Sequence, residues 1–361
     1  MARDAEIVVI GAGIAGVAAA RAIAQSGREV IVLEQFDVGH DRGSSHGGSR
    51  IFRLSYPDPH YVRLAQGALQ AWRELEDECG GQLILPTGGL DFGSVAVENA
   101  RALASCGVGH ELLTGAEVME RWAITAGPDE VALFQPDGGI TLADRAHAAC
   151  LSAAVEAGAL VLANRRVTGI DVGSGFAPVR ISTDAGEIVA RACVVTAGAW
   201  ARDLLAGAEI DLPVVPTRET TTYFALEGAL EIPPVIDAAV PDPKQHGLRR
   251  PGLISFALGA PGIGLKAGLH HAGPPTDPDE PGTPDSAAAS WVAGWAARRY
   301  PGLSPAPVLT ETCIYTNTAD ESFILERYGR IVVASACSGH GFKFAPVFGR
   351  TIAALARDAA A

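Results

Sequence analysis

Near the start of the chain, Ile7-Val-Val-Ile10 runs straight into Gly11-Ala-Gly-Ile-Ala-Gly16. An alanine-rich stretch from Ile14 to Gln25 follows, and then Glu29-Val-Ile-Val-Leu-Glu34. A β-branched run of this kind is typical of a strand buried on both faces, and Gly27 after Ser26 suits the left-handed end of a helix. The order predicts a β-α-β unit with a G-x-G-x-x-G turn where strand meets helix. Glycines there let the backbone approach a pyrophosphate, whose charge the helix N–H groups and dipole hold. Glu34 ends the next strand at about the 20-residue separation at which an acid accepts hydrogen bonds from a ribose. The nucleotide contacts expected from this unit are Gly11, Gly13, Ile14, Ala15, Gly16 and Glu34. FAD and NAD share such a half-site, so the turn alone does not choose between them.

At 361 residues the chain has room for two domains that share an interface. A formal net charge of -13 repels nucleic acid and anionic membranes, so neither is an expected partner. No apolar run reaches the roughly 20 residues that span a bilayer, and Met1-Ala-Arg-Asp-Ala-Glu6 passes into a strand without a signal-peptide pattern. The expectation is a soluble, cytoplasmic protein that works on a small molecule. The cysteines, Cys79, Cys106, Cys150, Cys193, Cys313 and Cys337, form no C-x-x-C pair. Neither a metal site nor a redox dithiol is therefore expected, and all but Cys313 read as reduced, partly buried small hydrophobes.

From His60 to Cys79 apolar side chains recur at Val62, Ala65, Leu69, Trp72 and Leu75, the helical period, and Gly80-Gly81 closes the segment. Residues 83 to 140 break into short apolar pieces separated by glycine and proline, as an inserted domain would. A helix is expected over Leu142 to Ala157, then strands at Leu160 to Leu162, Val167 to Val172, Val179 to Thr183 and Ala192 to Thr196. Residues 211 to 270 read mostly as strands and turns. Ala272 to Ser290, with Pro274-Pro-Thr-Asp-Pro-Asp-Glu-Pro281, reads as a surface loop. Ile331 to Ser335 is a late strand and Ala345 to Asp358 a final helix.

Five further segments carry chemistry-bearing residues: Ser44-Ser-His-Gly-Gly-Ser-Arg50-Ile-Phe-Arg53, Thr196-Ala-Gly-Ala-Trp200, Gly264-Leu-Lys-Ala-Gly-Leu-His270, Cys313-Ile-Tyr-Thr-Asn-Thr-Ala-Asp320 and Ser338-Gly-His-Gly-Phe-Lys343. Together with the glycine turn, and in this order, they extend over nearly the whole chain. By them the sequence resembles the FAD-dependent amine oxidases typified by monomeric sarcosine oxidase, N-methyltryptophan oxidase and pipecolate oxidase. The resemblance implies an α/β, D-amino acid oxidase-like flavoprotein with a Rossmann-like FAD-binding domain and a mixed-sheet substrate domain. The first would be assembled from residues 1–80, 141–210 and 311–361, the second from 81–140 and 211–310.

The same resemblance implies roles residue by residue. Cys313 would carry FAD through a thioether to the ring methyl group. Lys266 would stand over the flavin face, where a fixed positive charge favours electron transfer to O2; a snorkelling surface lysine is the plainer reading. Arg53 and Lys343 would clamp a substrate carboxylate, although Arg53 could instead pair with an acid on the helix that begins near His60. His46, Arg50 and His270 would lie beside flavin and substrate, where they tune charge or the protonation of the amine. Gly339, Gly341 and Phe342, with Lys343, would aim backbone N–H groups at the flavin pyrimidine. Further cofactor contacts are implied for Gln35, Arg42, Ser44, Ser45, Val167, Gly198 and Trp200.

Two departures from the sarcosine-oxidising pattern bear on the substrate. Ser255-Phe-Ala-Leu258 keeps only Phe256 where a tyrosine-rich stretch lines the pocket, and Glu219 stands where glutamine is more usual. The reaction implied is oxidation of the C–N bond of an amino acid, a secondary amine of N-methyl or cyclic type, to an imine and hydrogen peroxide. Substrate and O2 are then the partners, and a monomer is expected, with an oligomer left open. A flavin dehydrogenase or monooxygenase using another electron partner shares the first motif. A flavoprotein without catalysis would not need Lys266, Arg53 and Lys343.

Overall fold

The computed structural model describes residues 3–173, 177–238, 254–335 and 338–361. Strand Arg3–Ile10 lies between Val30–Leu33 and Gly186–Val195, parallel to both. Leu160–Leu162 extends the parallel layer on one side and Ile331–Ser335 on the other. The β-branched runs are buried on both faces, as side chains from Ile7 to Ile10 and from Val30 to Leu33 show. One face is covered by helices Ile14–Gln25, Ala143–Glu156 and Ala345–Ala360; beyond Gly186–Val195 the same sheet continues antiparallel into Val179–Thr183 and Val167–Val172, whose apolar side chains share the core of the other face with helix Ala201–Ala206.

Alanines in the first helix let the last helix come close. A methyl group added at Gly349 would lie 2.4 Å from the Ala18 carbonyl oxygen, whereas Gly67, on the exposed side of helix Pro59–Cys79, has only Val347 near it at 3.9 Å. The two glycines therefore predict opposite signs. Gly349→Ala should destabilise by about 1–3 kcal/mol through overpacking. Gly67→Ala should stabilise by about 0.5–1 kcal/mol, the helix-propensity gain. Urea midpoints at unchanged slope measure both.

A second, mixed sheet of eight strands runs Leu309–Asn317, Val215–Phe224, Gly264–His270, Ile254–Ala260, Val235–Asp237, Gly89–Phe92, Val131–Gln135, Glu111–Thr114. Helix Ser286–Arg299 packs its Trp291, Val292, Trp295 and Ala296 into the core of this sheet. Arg50–Phe52, Gly139–Thr141 and Ile84–Leu85 make a small third sheet.

Three sequence expectations need correction. Residues 83–140 contain two helices, Val95–Ser105 and Gly115–Arg121, the latter started by a reciprocal Thr114–Glu117 capping box. The loop expected over 272–290 stops at Asp285, whose carboxylate accepts from the Ala287 and Ala288 N–H groups at 2.8 and 3.2 Å and starts helix Ser286–Arg299. Finally, residues 311–317, assigned to the nucleotide-binding part, form an edge strand of the second sheet, where Cys313 sits opposite Glu219. Among the described residues no helix is long and apolar enough to cross a membrane.

Candidate active site

The C-terminal ends of the parallel strands and one face of the mixed sheet enclose a cavity of about 1320 Å³. It runs from the glycine turn to the strand that carries Cys313. Such a volume exceeds the roughly 300–1,000 Å³ of an ordinary ligand pocket, as a site for a dinucleotide and a substrate together requires.

At the nucleotide end, Gly11, Gly13, Ile14, Ala15, Glu34, Gln35, Ser45, Val167, Gly198 and Trp200 all line the cavity. Glu34 is 4% exposed and already oriented: one oxygen accepts from Ala12 N at 2.8 Å and the other from Phe36 N at 3.0 Å. Gly13, at the helix N-cap, brings no side chain over the first turn, so an anion can approach it. Two expected contacts lie elsewhere. Gly16 faces the back of the turn, where a methyl group would come to 1.9 Å from the Gly11 carbonyl oxygen, so its smallness serves strand-to-helix packing. Arg42 is exposed and lies 4.6 Å over the Phe36 ring, outside the cavity wall.

The proline-rich, acidic segment is more than surface. Asp279 accepts from Trp200 Nε1 at 2.7 Å and pairs with Arg166 at 3.2 Å, and Asp277, Pro278 and Asp279 line the nucleotide end. Glu219 fixes the start of this segment by accepting from Ala272 and Gly273 N–H at 2.9 and 2.8 Å. It is 1% exposed and does not line the cavity, so its departure from the family pattern bears on the loop and not on the substrate.

At the reactive end, Lys266 and Cys313 project from strands that flank Val215–Phe224 on either side. Lys266 is 6% exposed, so it does not snorkel to solvent. Its Nζ is 5.3 Å from the Tyr223 ring centre, and burial, with the Arg50 charge, lowers its pKa to about 8. Arg50 is held by the carbonyls of Ser44 at 2.9 Å, His46 at 2.6 Å and Ser49 at 2.8 Å, and its guanidinium lies 5.6 Å from the Phe342 ring centre. Burial and Arg50 lower the His46 pKa, keeping the ring neutral. The Ser44 hydroxyl donates to the carbonyl of Ile314, which ties the Ser44–Arg53 segment to the strand of Cys313.

At the far end, Arg53 and Lys343 converge on Tyr56. The Arg53 guanidinium lies 4.3 Å from the Tyr56 ring centre and Lys343 Nζ 5.6 Å from it. Arg53 donates to the Ser55 carbonyl at 2.8 Å and makes no ion pair with the helix that follows. Lys343 is 5% exposed and donates to the Tyr56 hydroxyl at 3.0 Å and the His340 carbonyl at 2.8 Å. Burial, reinforced by Arg53, holds its pKa well below that of an ordinary lysine. Burial likewise raises Tyr56 to about 12, so the phenol stays neutral. Gly339 has φ 76, and Gly339, Gly341, Phe342 and Lys343 bend around this end into the turn of helix Phe342–Phe344. Phe256, from strand Ile254–Ala260, contributes an apolar wall, its ring lying over Gly268.

His270 also lines the cavity, and burial, with His271 beside it, holds its pKa well below the usual value. Tyr56, Tyr61, His271 and Glu321 line the cavity too and were not singled out from the sequence. Tyr56 stands three residues past Arg53, but nothing local reveals that Lys343 reaches it. Of the remaining cysteines, Cys150 and Cys193 are buried and Cys106 is half-buried. Cys79 is exposed, because it lies on the last, solvent-facing turn of its helix, and Cys337 lies outside the described residues.

A profile of the FAD dependent oxidoreductase family, DAO, matches residues 6–355. The peroxisomal sarcosine oxidase of Homo sapiens is 33% identical, with 96% of this chain and 90% of the relative covered. The monomeric sarcosine oxidase of Bacillus sp. (strain NS-129) is 31% identical, with 99% and 94% covered. Among solved structures, NikD, an unusual amino acid oxidase essential for nikkomycin biosynthesis, superposes with a TM-score of 0.87 at 27% identity, with 98% of this chain and 94% of that one covered.

Proposed function

Because this chain belongs to the DAO family of FAD dependent oxidoreductases, we propose that it oxidises the C–N bond of an amino acid that carries a secondary amine, N-methyl or cyclic, to the imine. The observation that carries this reading is the meeting of Arg53 and Lys343 on Tyr56, in the cavity that also holds Lys266 and Cys313. A guanidinium and a buried lysine amine, which a carboxylate would hold protonated, at one end of the pocket suit a carboxylate. The glycine turn, Glu34 and the length of the cavity fit FAD. When bound, FAD supplies the two-electron acceptor for hydride from the carbon beside the amine nitrogen and passes the electrons to O2, which leaves as hydrogen peroxide.

The residues then divide the work. Arg53 and Lys343 hold the carboxylate, so the carbon bearing the hydride is presented in one orientation. Phe256 and its apolar neighbours keep water from the reacting atoms. His46 and His270, both with lowered pKa, are neutral at pH 7 and add no charge against a cationic amine. Lys266 places its charge where O2 is reduced. Peroxide release across a panel of N-methyl and cyclic amino acids tests the reading. Activity on primary amines lacking a carboxylate, with none on this panel, would overturn it.

Cys313 is the proposed point of covalent attachment. The wild-type protein should stay yellow after acid precipitation, and Cys313→Ser should release its colour to the supernatant. Loss of all flavin from acid-treated wild type would remove the tether.

Lys266 also predicts a pH dependence. A lysine helps O2 accept electrons only when protonated, and the lowered pKa of about 8 places the loss of that charge near pH 8. Reoxidation of the reduced enzyme should therefore be level below pH 7 and fall roughly tenfold per unit above about pH 8. The fall should vanish in Lys266→Met. We also assign the protein to the cytoplasm as a monomer, a state that sedimentation reads directly.

A further inference from the structure

The rim of the cavity carries a cluster of which the proposed oxidation uses only His270. His270 and His271 are consecutive at the end of strand Gly264–His270, where neighbouring side chains ordinarily point to opposite faces. His271 instead has a left-handed backbone, φ 58, and its ring swings alongside that of His270 with centres 4.0 Å apart. Tyr315 packs against both rings, at 5.5 and 5.6 Å, and fixes them. Glu321 is left-handed as well, φ 62, and brings a carboxylate oxygen to 3.3 Å from His271 Nε2. That nitrogen is buried without a hydrogen bond. One atom from each of the three residues lies within 4.8 Å of the others, and all three residues line the cavity.

We infer that His270, His271 and Glu321 form a binding site for a divalent cation of the zinc class at the mouth of the substrate cavity. Two imidazole nitrogens and a carboxylate oxygen are a donor set such ions take, with a fourth position left for water. Ligands about 2.0–2.1 Å from a tetrahedral ion stand roughly 3.3 Å apart, which is the spacing His271 and Glu321 already have. Only His270 must close in. Left-handed backbone is strained at non-glycine positions, and here both such residues bring ligand atoms together. Glu321 is half exposed, so the ion reaches the site from solvent. The cysteine pattern gives no hint of it, because no cysteine takes part.

The test is equilibrium dialysis of the flavin-loaded protein against Zn2+ after treatment with a chelator. The wild-type chain should bind one Zn2+ that His271→Ala and Glu321→Gln each weaken by at least tenfold, since loss of even an outer-sphere partner costs about 10- to 100-fold. Glu321→Gln changes a solvent-exposed side chain and keeps the test informative if His271→Ala fails to fold. Absence of stoichiometric Zn2+ in the wild type would leave only an ion pair between His271 and Glu321 and overturn the site. So would equal binding in both variants. Because dialysis needs no amine, its outcome is independent of the peroxide screen.

Discussion

Lys266→Met is expected to slow reoxidation of the reduced enzyme by O2 about a hundredfold while leaving anaerobic reduction by substrate within a few-fold of wild type. Reducing O2 creates negative charge, and a cation fixed in a water-poor site stabilises that charge without reorganising when the electron moves. Removing one such group commonly costs about 3 kcal/mol, which is roughly a hundredfold in rate. Lys266 meets the physical conditions: it is 6% exposed, and its Nζ lies over Tyr223 at 5.3 Å. Burial, helped by the Arg50 charge that three backbone carbonyls anchor nearby, lowers its pKa. Methionine retains most of the length and volume, so the loss measured is that of the charge. Stopped-flow mixing of the reduced protein with O2 reads the oxidative step, and anaerobic mixing with substrate reads the reductive one. Normal reoxidation with lost reduction would assign Lys266 to the substrate instead.

The layout of the site was partly legible because some of its parts are local. The Gly11–Gly16 turn between Ile7–Ile10 and the alanine-rich helix is written in consecutive residues, and so is the periodicity of helix Pro59–Cys79. What was not legible depends on pairings far apart in sequence. Cys313 belongs to the second sheet because Leu309–Asn317 pairs with Val215–Phe224, which no local pattern announces. The proline-rich segment closes the nucleotide end because Trp200 and Arg166 meet Asp279, and its composition reveals only that it is irregular. Glu219 read as a substrate determinant, yet its carboxylate is spent on the N–H groups of Ala272 and Gly273. His271 and Glu321 become neighbours only through left-handed backbone at both residues. Lys343 was singled out from its turn, while the tyrosine that orients it came from a segment near the other end of the chain.

That last contact sets the terms for the substrate. Arg53→Ala and Lys343→Ala should each weaken the binding of simple carboxylate inhibitors by at least tenfold, because a charge-assisted hydrogen bond to a carboxylate commonly contributes about 1.5–3 kcal/mol. Turnover of amino acids should fall with it, whereas an amine without a carboxylate should react poorly with wild type and no worse with the variants. The two cations are not equivalent. Lys343, with its pKa pulled well down by burial and by Arg53, is easily left neutral in the free site. An arriving carboxylate supplies the missing negative charge and raises that pKa, so binding takes up a proton. Carboxylate affinity should therefore weaken as pH rises from neutrality, and the slope should disappear in Lys343→Met while persisting in an Arg53 variant. Flavin spectral titrations with a small carboxylate across pH measure both. Unchanged dissociation constants in both alanine variants would rule out the clamp and leave the substrate an amine with no required acid group.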